Sequence, residues 1–236
     1  TTFQVRDIAP IPDRMIGQTD NSGTEEHNML YLPVVAEDGK TWLNNNLGAD
    51  YANIDHASFN PAQQATGYQD YHAYGSLFQW GRPADGHELI NWSGATTGMA
   101  KYGTTSAQSN TPTDALFILK TEWRVNPDNT LWATEASANN PCPVGFRVPT
   151  NAELTTLVTA AGITTDINAT GSKLKFSDAG YRKYTDGLPN SAGTLIGHWS
   201  SSISAAKASY RYIYFGGTSP LTDNRGVGYA MRCIKN

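Results

Sequence analysis

The apolar positions that follow residue 150 repeat with the period of a helix. Leu154, Leu157, Val158 and Ala161 fall at i, i+3, i+4 and i+7, one stripe down a single face. Thr150 stands where an N-cap belongs, and Glu153, three residues on, completes a capping box. Gly162 follows where a left-handed stop costs least. The pattern predicts a helix over 151–161 whose stripe packs on a sheet. A different period governs "SYRYIYF" (209–215). Strict alternation places Tyr210, Tyr212 and Tyr214 on one strand face and Arg211, Ile213 and Phe215 on the other. Ile213 and Phe215 are expected in the core and the three tyrosines outward. Two apolar runs around Asp38-Gly39 in "MLYLPVVAEDGKTWLNNNL" signal a hairpin. "ALFILKTEW" (115–123) fits either helix or strand. "KLKFSDAGYRKY", "GHWSSS" and "GYAMRCIK" read as short strands, and "YHAYGSLFQWG" as a buried stretch. Residues 1–28 are polar and irregular and read as an arm or linker. The expectation is one α+β domain over 29–236, loop-rich, with short antiparallel strands and one or two short helices.

Composition narrows the setting. Hydrophobic residues make up 39% and charged residues only 16%, while Gly (22), Tyr (12), Pro (12) and Trp (6) are plentiful. That balance is typical of secreted and cell-surface proteins and too aromatic for disorder. A formal charge of −4 gives no basic footprint, so nucleic acid is not expected as a partner. No apolar run approaches the ~20 residues that a bilayer requires, so no membrane span is expected. Thr1 begins neither a signal peptide nor a transit peptide.

The two cysteines, Cys142 and Cys233, offer no CxxC pair and no nearby histidine pair, so a zinc set is not legible. The choice lies between two buried thiols and one disulfide. Prolines clamp Cys142, and Cys233 falls in a short apolar run, so both sit on rigid backbone. The secretory composition favours the disulfide. The bond would close a loop spanning 91 positions, worth about 4 to 5 kcal/mol on the chain-entropy model.

"GKTWLNNNLG", "YGSLFQWGR", "NPCPVGFRVPTNAEL", "FSDAGYR", "HWSSS" and "GYAMRCIK" occur in an order that resembles the Fibrobacter succinogenes major paralogous domain, a branch of the C-type-lectin-like fold. The match runs from about Leu30 to Asn236. The resemblance implies a secreted or surface domain in which N- and C-terminal strands pair and the helix after Cys142 is tied to the last strand. This agrees with the disulfide. The block "HWSSSISAAKASYRYIYFGGTSPLTDNRGVGYAMRCIK" also resembles the variable region of proteins diversified by retroelements, which display changeable residues on this scaffold. "FRVPTNAEL" and "MRCIK" are similar to motifs of the formylglycine-generating enzyme group. There the chemistry needs a reactive cysteine pair, and the fold accounts for both cysteines here.

Catalytic motifs are not legible. His27, His56, His72, His87 and His198 are scattered, without an i, i+4 pair or HExxH, and read as surface or structural. GxSxG, P-loop and GxGxxG patterns are missing from the sequence. So are the Glu-Pro-Asn and Gln-Pro-Asp tripeptides with which many lectins hold calcium and sugar. No metal and no cofactor are expected. Arg147, Arg232, Trp199 and the remaining tryptophans read as packing residues. The tyrosine row stands apart, because Tyr supplies rigid, amphipathic binding surface. The expected ligand face comprises Tyr210, Tyr212 and Tyr214, with Ser202, Ser204, Thr218, Asp223, Asn224 and Arg225 as adaptable hydrogen-bonding neighbours. The functional expectation is a non-enzymatic, extracellular recognition domain, secreted or at the cell surface. Its partner would be a protein or glycan on another cell or surface. The competing expectations are a structural subunit of a surface assembly, with 1–28 as the joining arm, and an enzyme of formylglycine-generating type.

Overall fold

The expected hairpin seeds a four-stranded antiparallel sheet. In this computed structural model, which describes residues 9–236, Pro33–Val35 pairs with Thr41–Leu43, and Val34 lies opposite Trp42. Gly39 closes the turn with φ of 76°, a backbone state that glycine adopts without strain. Thr41–Leu43 then pairs with Ile234–Lys235, whose other edge pairs with Phe146–Arg147. A strand from the last positions of the sequence therefore lies inside this sheet. The disulfide Cys142–Cys233 forms beside that pairing, with a Cα–Cα distance of 5.9 Å.

The capped helix α1 (Asn151–Ala160) follows Phe146–Arg147 as the stripe predicts. Thr150 Oγ1 accepts from the Glu153 N–H, and Glu153 accepts from the Thr150 N–H at 2.8 Å. Arg147 grips the same carboxylate with two bonds of 2.8 Å, and Lys40 adds a third cation contact at 2.9 Å. The Arg147 hydrogen bond, above all, holds Glu153 well below the usual carboxylate range. Leu154, Leu157 and Val158 are buried with Trp42, Phe176, Ile196, Ile213 and Ile234. The helix thus plugs one core between the terminal strand and the long sheet described next. A single second turn of helix, α2 (Asp166–Ala169), follows it.

Ile196–Ser204, Lys207–Tyr214 and Gly217–Asp223 form a three-stranded antiparallel sheet with the longest strands of the molecule. A bulge interrupts its first pair between Trp199 and Ile203. A further four-stranded sheet runs in the order Pro189–Asn190, Tyr181–Arg182, Gly228–Tyr229, Phe78–Gln79. "ALFILKTEW" contributes the short strand Phe117–Ile118 rather than a helix. The architecture is an α+β arrangement of small, mostly antiparallel sheets with few helices; Phe117–Ile118 is an exception, pairing parallel with Thr104–Thr105.

Buried polar side chains stitch the loops to these sheets. Arg232 is buried and donates to Asn46 Oδ1 (2.9 Å) and to the carbonyls of Asn44 (2.7 Å) and Leu174 (2.9 Å). Burial alone lowers this guanidinium to about 9. Trp199 donates to the Phe78 carbonyl and Trp80 to that of Ser200. Arg232 and the tryptophans are packing residues, as expected, and Arg147 serves the helix cap.

The expected arm behaves differently. Residues 1–8 lie outside the described residues. The remainder, 9–28, is irregular but docks on the domain. Ile11–Pro12 pairs with Leu30–Tyr31, and Arg14 Nε donates to the Cys142 carbonyl at 2.6 Å. Asp13, Asp20 and His27 are buried here. Burial works against the charge on His27, but the Asp20 hydrogen bond, with Glu88 and Asp13 nearby, raises it to about 9. Three of its polar residues are thus drawn inward, while most of the segment stays exposed or half-buried on the domain surface.

Candidate functional site

Alternation along Lys207–Tyr214 brings the three tyrosines into one row. Ring centroids of Tyr210 and Tyr212 are 6.3 Å apart, those of Tyr212 and Tyr214 5.0 Å, and Phe215 continues the series 5.3 Å from Tyr214. These separations suit favourable aromatic pairs. Cross-strand register places Ser219 opposite Tyr212, and Leu221 opposite Tyr210, on the same face.

The row does not face solvent along its length. Tyr210 is only 6% exposed; it stacks on Tyr229 at 4.3 Å and meets Trp199 edge-on. Burial raises the Tyr210 phenol above its ordinary value. Tyr212 and Tyr214 are half-buried, and Phe215 is 75% exposed. Two expectations are therefore corrected. Tyr210 does not point outward, because the sheet that carries Tyr181 and Tyr229 covers its end of the face. Phe215 does not enter the core, because the strand stops at Tyr214. Phe215 and Gly216 are the two turn residues of a tight hairpin in which Tyr214 pairs with Gly217, so alternation no longer applies to them. Ile213 is buried as expected, on the opposite face beneath α1.

The expected hydrogen-bonding neighbours disperse. Ser202 and Ser204 lie by the opposite hairpin, where Ser204 pairs with Lys207, and Ser202 Oγ accepts from the Asn151 N–H at 3.0 Å. Seven residue steps, roughly 23 Å of strand, separate that hairpin from Tyr214. Thr218 is paired with Ile213 and so stands on the other face. Asp223 accepts from the Tyr229 hydroxyl at 3.0 Å, and from the Asn224 N–H. Arg225 is buried over Trp80 at 4.7 Å, bound to Asn129, the Asp128 carbonyl and Glu122. It pegs a loop to the core and is not an adaptable surface group. Asn224 stays half-buried.

What the row offers to solvent is Tyr212, Tyr214, Phe215, Ser219 and Leu221. Sequence reasoning makes 216–225, Leu221 included, a loop of the ligand face, whereas Gly217–Asp223 is a strand, and it misplaces Phe215. Cross-strand pairing could have singled out Leu221, and the glycines after Phe215 could have signalled the turn at Phe215-Gly216. Gly216 has a specific role: a Cβ there would come within 2.7 Å of the Tyr214 ring.

Elsewhere, Asp85, His87 and Glu88 gather beneath a cavity of about 310 Å³ that Asp20 and Asp85 help to line. The valences of Asp85 and His87 are taken, while Glu88 Oε1 has only a charge contact, at 3.4 Å from His27 Nε2. Arg82 Nε and Nη2 donate to Asp85 Oδ2, and His87 Nδ1 reaches Asp85 Oδ1 at 2.6 Å. His87 Nε2 accepts from the Gln79 N–H at 3.0 Å, so its hydrogen sits on Nδ1. A histidine bonded at both nitrogens holds the loop and has no lone pair left for a ligand.

No protein-family model matches the chain, and no curated protein or solved structure matches it either. Both cysteines are joined in the disulfide and no helix is long and apolar enough to cross a membrane among the described residues.

Proposed function

We propose that this chain is a non-enzymatic extracellular recognition domain of C-type-lectin-like architecture. Its ligand face is the aromatic end of the long sheet: Tyr212, Tyr214, Phe215, Ser219 and Leu221. The observation that carries this reading is the graded aromatic row, with Tyr210 packed in the core and Phe215 standing 75% exposed. Rings anchored at one end lose little freedom on binding, which lowers the ordering cost of association. The disulfide and the interior terminal strand stiffen the base from which the row projects. Phe215 and Leu221 are apolar and exposed, which favours a protein surface over a glycan as the partner. The same hairpins suit the display of changeable residues. Sister sequences from one population that differ only within 202–229 would support a retroelement-diversified role.

Two observations weigh against the enzyme reading. The disulfide consumes both cysteines, leaving no reactive pair of the formylglycine-generating kind. The buried Asp85–His87 cluster is saturated by its own partners. The reading is tested by the double substitution Tyr212→Ala with Tyr214→Ala, in binding assays against a surface-protein library and a glycan array. Loss of binding in a variant that stays folded, with only a small drop in melting temperature, is expected. Binding that survives in a folded variant places the face elsewhere.

A further inference from the structure

Three ligands of metal-binding type converge away from the aromatic face. Two short 3-10 turns, Asp50–Ala52 and Tyr71–Ala73, pack together and place Asp50 beside His72. His72 Nδ1 lies 2.9 Å from Asp50 Oδ2, and His56 Nε2 lies 3.7 Å from the same oxygen. One ligand atom from each residue falls within 4.8 Å of the others. Ligands about 2.0 to 2.1 Å from a tetrahedral zinc ion stand roughly 3.3 Å from one another. The trio brackets that spacing.

The rings are held. His72 packs against Tyr71 at 4.1 Å and Tyr51 at 5.7 Å, and Asp70 caps its turn by accepting from the His72 N–H. Asp50 and His56 line a cavity of about 280 Å³ together with Asn53, Ser76 and Asn91.

We propose that Asp50, His56 and His72 form a binding site for a divalent cation of the zinc type, with a coordination position left open to the cavity. Two imidazoles and one carboxylate suit zinc, and three protein ligands leave a fourth position for water or for a donor atom of a partner. This departs from the sequence expectation of no metal, because the three residues share no recognisable spacing. The hydrogen that His72 Nδ1 donates to Asp50 moves to Nε2 of the same ring, which frees the Nδ1 lone pair for the ion. His56 Nδ1 accepts from the Ser58 N–H at 3.1 Å, so its hydrogen sits on Nε2. Metal at Nε2 moves that hydrogen to Nδ1 and releases Ser58 to water. Loss of one such hydrogen bond lowers affinity by about tenfold or less.

The test uses untagged protein titrated with ZnCl2 by calorimetry and with CoCl2 by visible absorption. One saturable equivalent is expected, with ligand-field bands of low-coordinate cobalt. His56→Gln and His72→Gln should each weaken binding by about tenfold or more, since loss of a supporting group alone costs 10- to 100-fold. Imidazole proton resonances of the unsubstituted protein give a readout that does not depend on the variants folding. Zinc should shift the His56 and His72 signals and leave those of His27, His87 and His198 in place. No saturable uptake, or uptake that both folded variants retain, or shifts confined to the other histidines, overturns the site.

Discussion

The two faces of the long sheet carry the same alternating pattern and meet opposite fates. On one, Ile196, Arg211 and Ile213 are buried with α1 packed over the first two strands, and Arg211 bonds Thr155 of the helix. On the other, cover extends only as far as Tyr210 and stops, so the row emerges through Tyr212 and Tyr214 to Phe215. Alternation says which residues share a face. It does not say how far along the strand a neighbouring element reaches. The covered face is built for stability, and the half-covered one keeps apolar rings in water on a rigid footing.

The contrast is sharpest where both faces share a foundation. Replacing Cys142 and Cys233 together by Ser should cost about 4 kcal/mol in urea unfolding, because the disulfide closes a loop of 91 positions that contains the whole sheet. An unchanged midpoint would mean that strand pairing alone supports both faces. Next, Leu157→Ala on the covered face should cost about 2 to 4 kcal/mol, as a buried leucine deletion does. Tyr214→Ala on the emerging face should cost less than about 1 kcal/mol. Equal losses would erase the distinction between the faces.

A smaller effect tests the helix cap that seals the covered face. The Glu153 carboxylate is stabilised by Arg147, so its pKa in the folded chain lies below the ordinary 4.5. Its contribution is present above about pH 4.5 and is lost as pH falls through the lower, folded value. Glu153→Gln should therefore flatten part of the decline in unfolding free energy between about pH 5 and 3, by roughly 1 kcal/mol. A slope that the variant leaves untouched would assign acid sensitivity to another carboxylate. The smallest expected effect is Phe215→Ala. It should change stability by less than about 0.5 kcal/mol while weakening partner binding. A large loss of stability would show that the turn ring is packed.

The legible parts of the molecule are those decided locally. The capping box and the stripe of α1, the Asp38-Gly39 hairpin and the shared face of the tyrosines all depend on residues within a few positions of one another. The disulfide was readable because rigid backbone and composition pointed the same way. The burial of Tyr210 was not, since Tyr181 and Tyr229 come from other strands to cover it. Residues 9–28 misled for a related reason. Asp13, Asp20 and His27 look like surface charges in sequence, and their interior pairing, with Tyr31 and Glu88 among the partners, is not announced there. Asp50 and His72 are joined by the packing of two 3-10 turns, with His56 brought in by the loop after the first, which no periodicity announces.

The placement of the disulfide also sets how the domain answers to tension. When the chain is pulled through points outside Cys142 and Cys233, force bypasses the stretch between them, a sequence separation of 91. About 300 Å of contour length, at 3.3 to 3.6 Å per residue, cannot be paid out while the bond is intact. The tyrosine row lies within that bypassed stretch. Strain that peels residues 9–141 from the sheets would leave Tyr212, Tyr214 and Phe215 shielded from direct load, so a tether on this domain would yield elsewhere before the grip of its aromatic face is stretched.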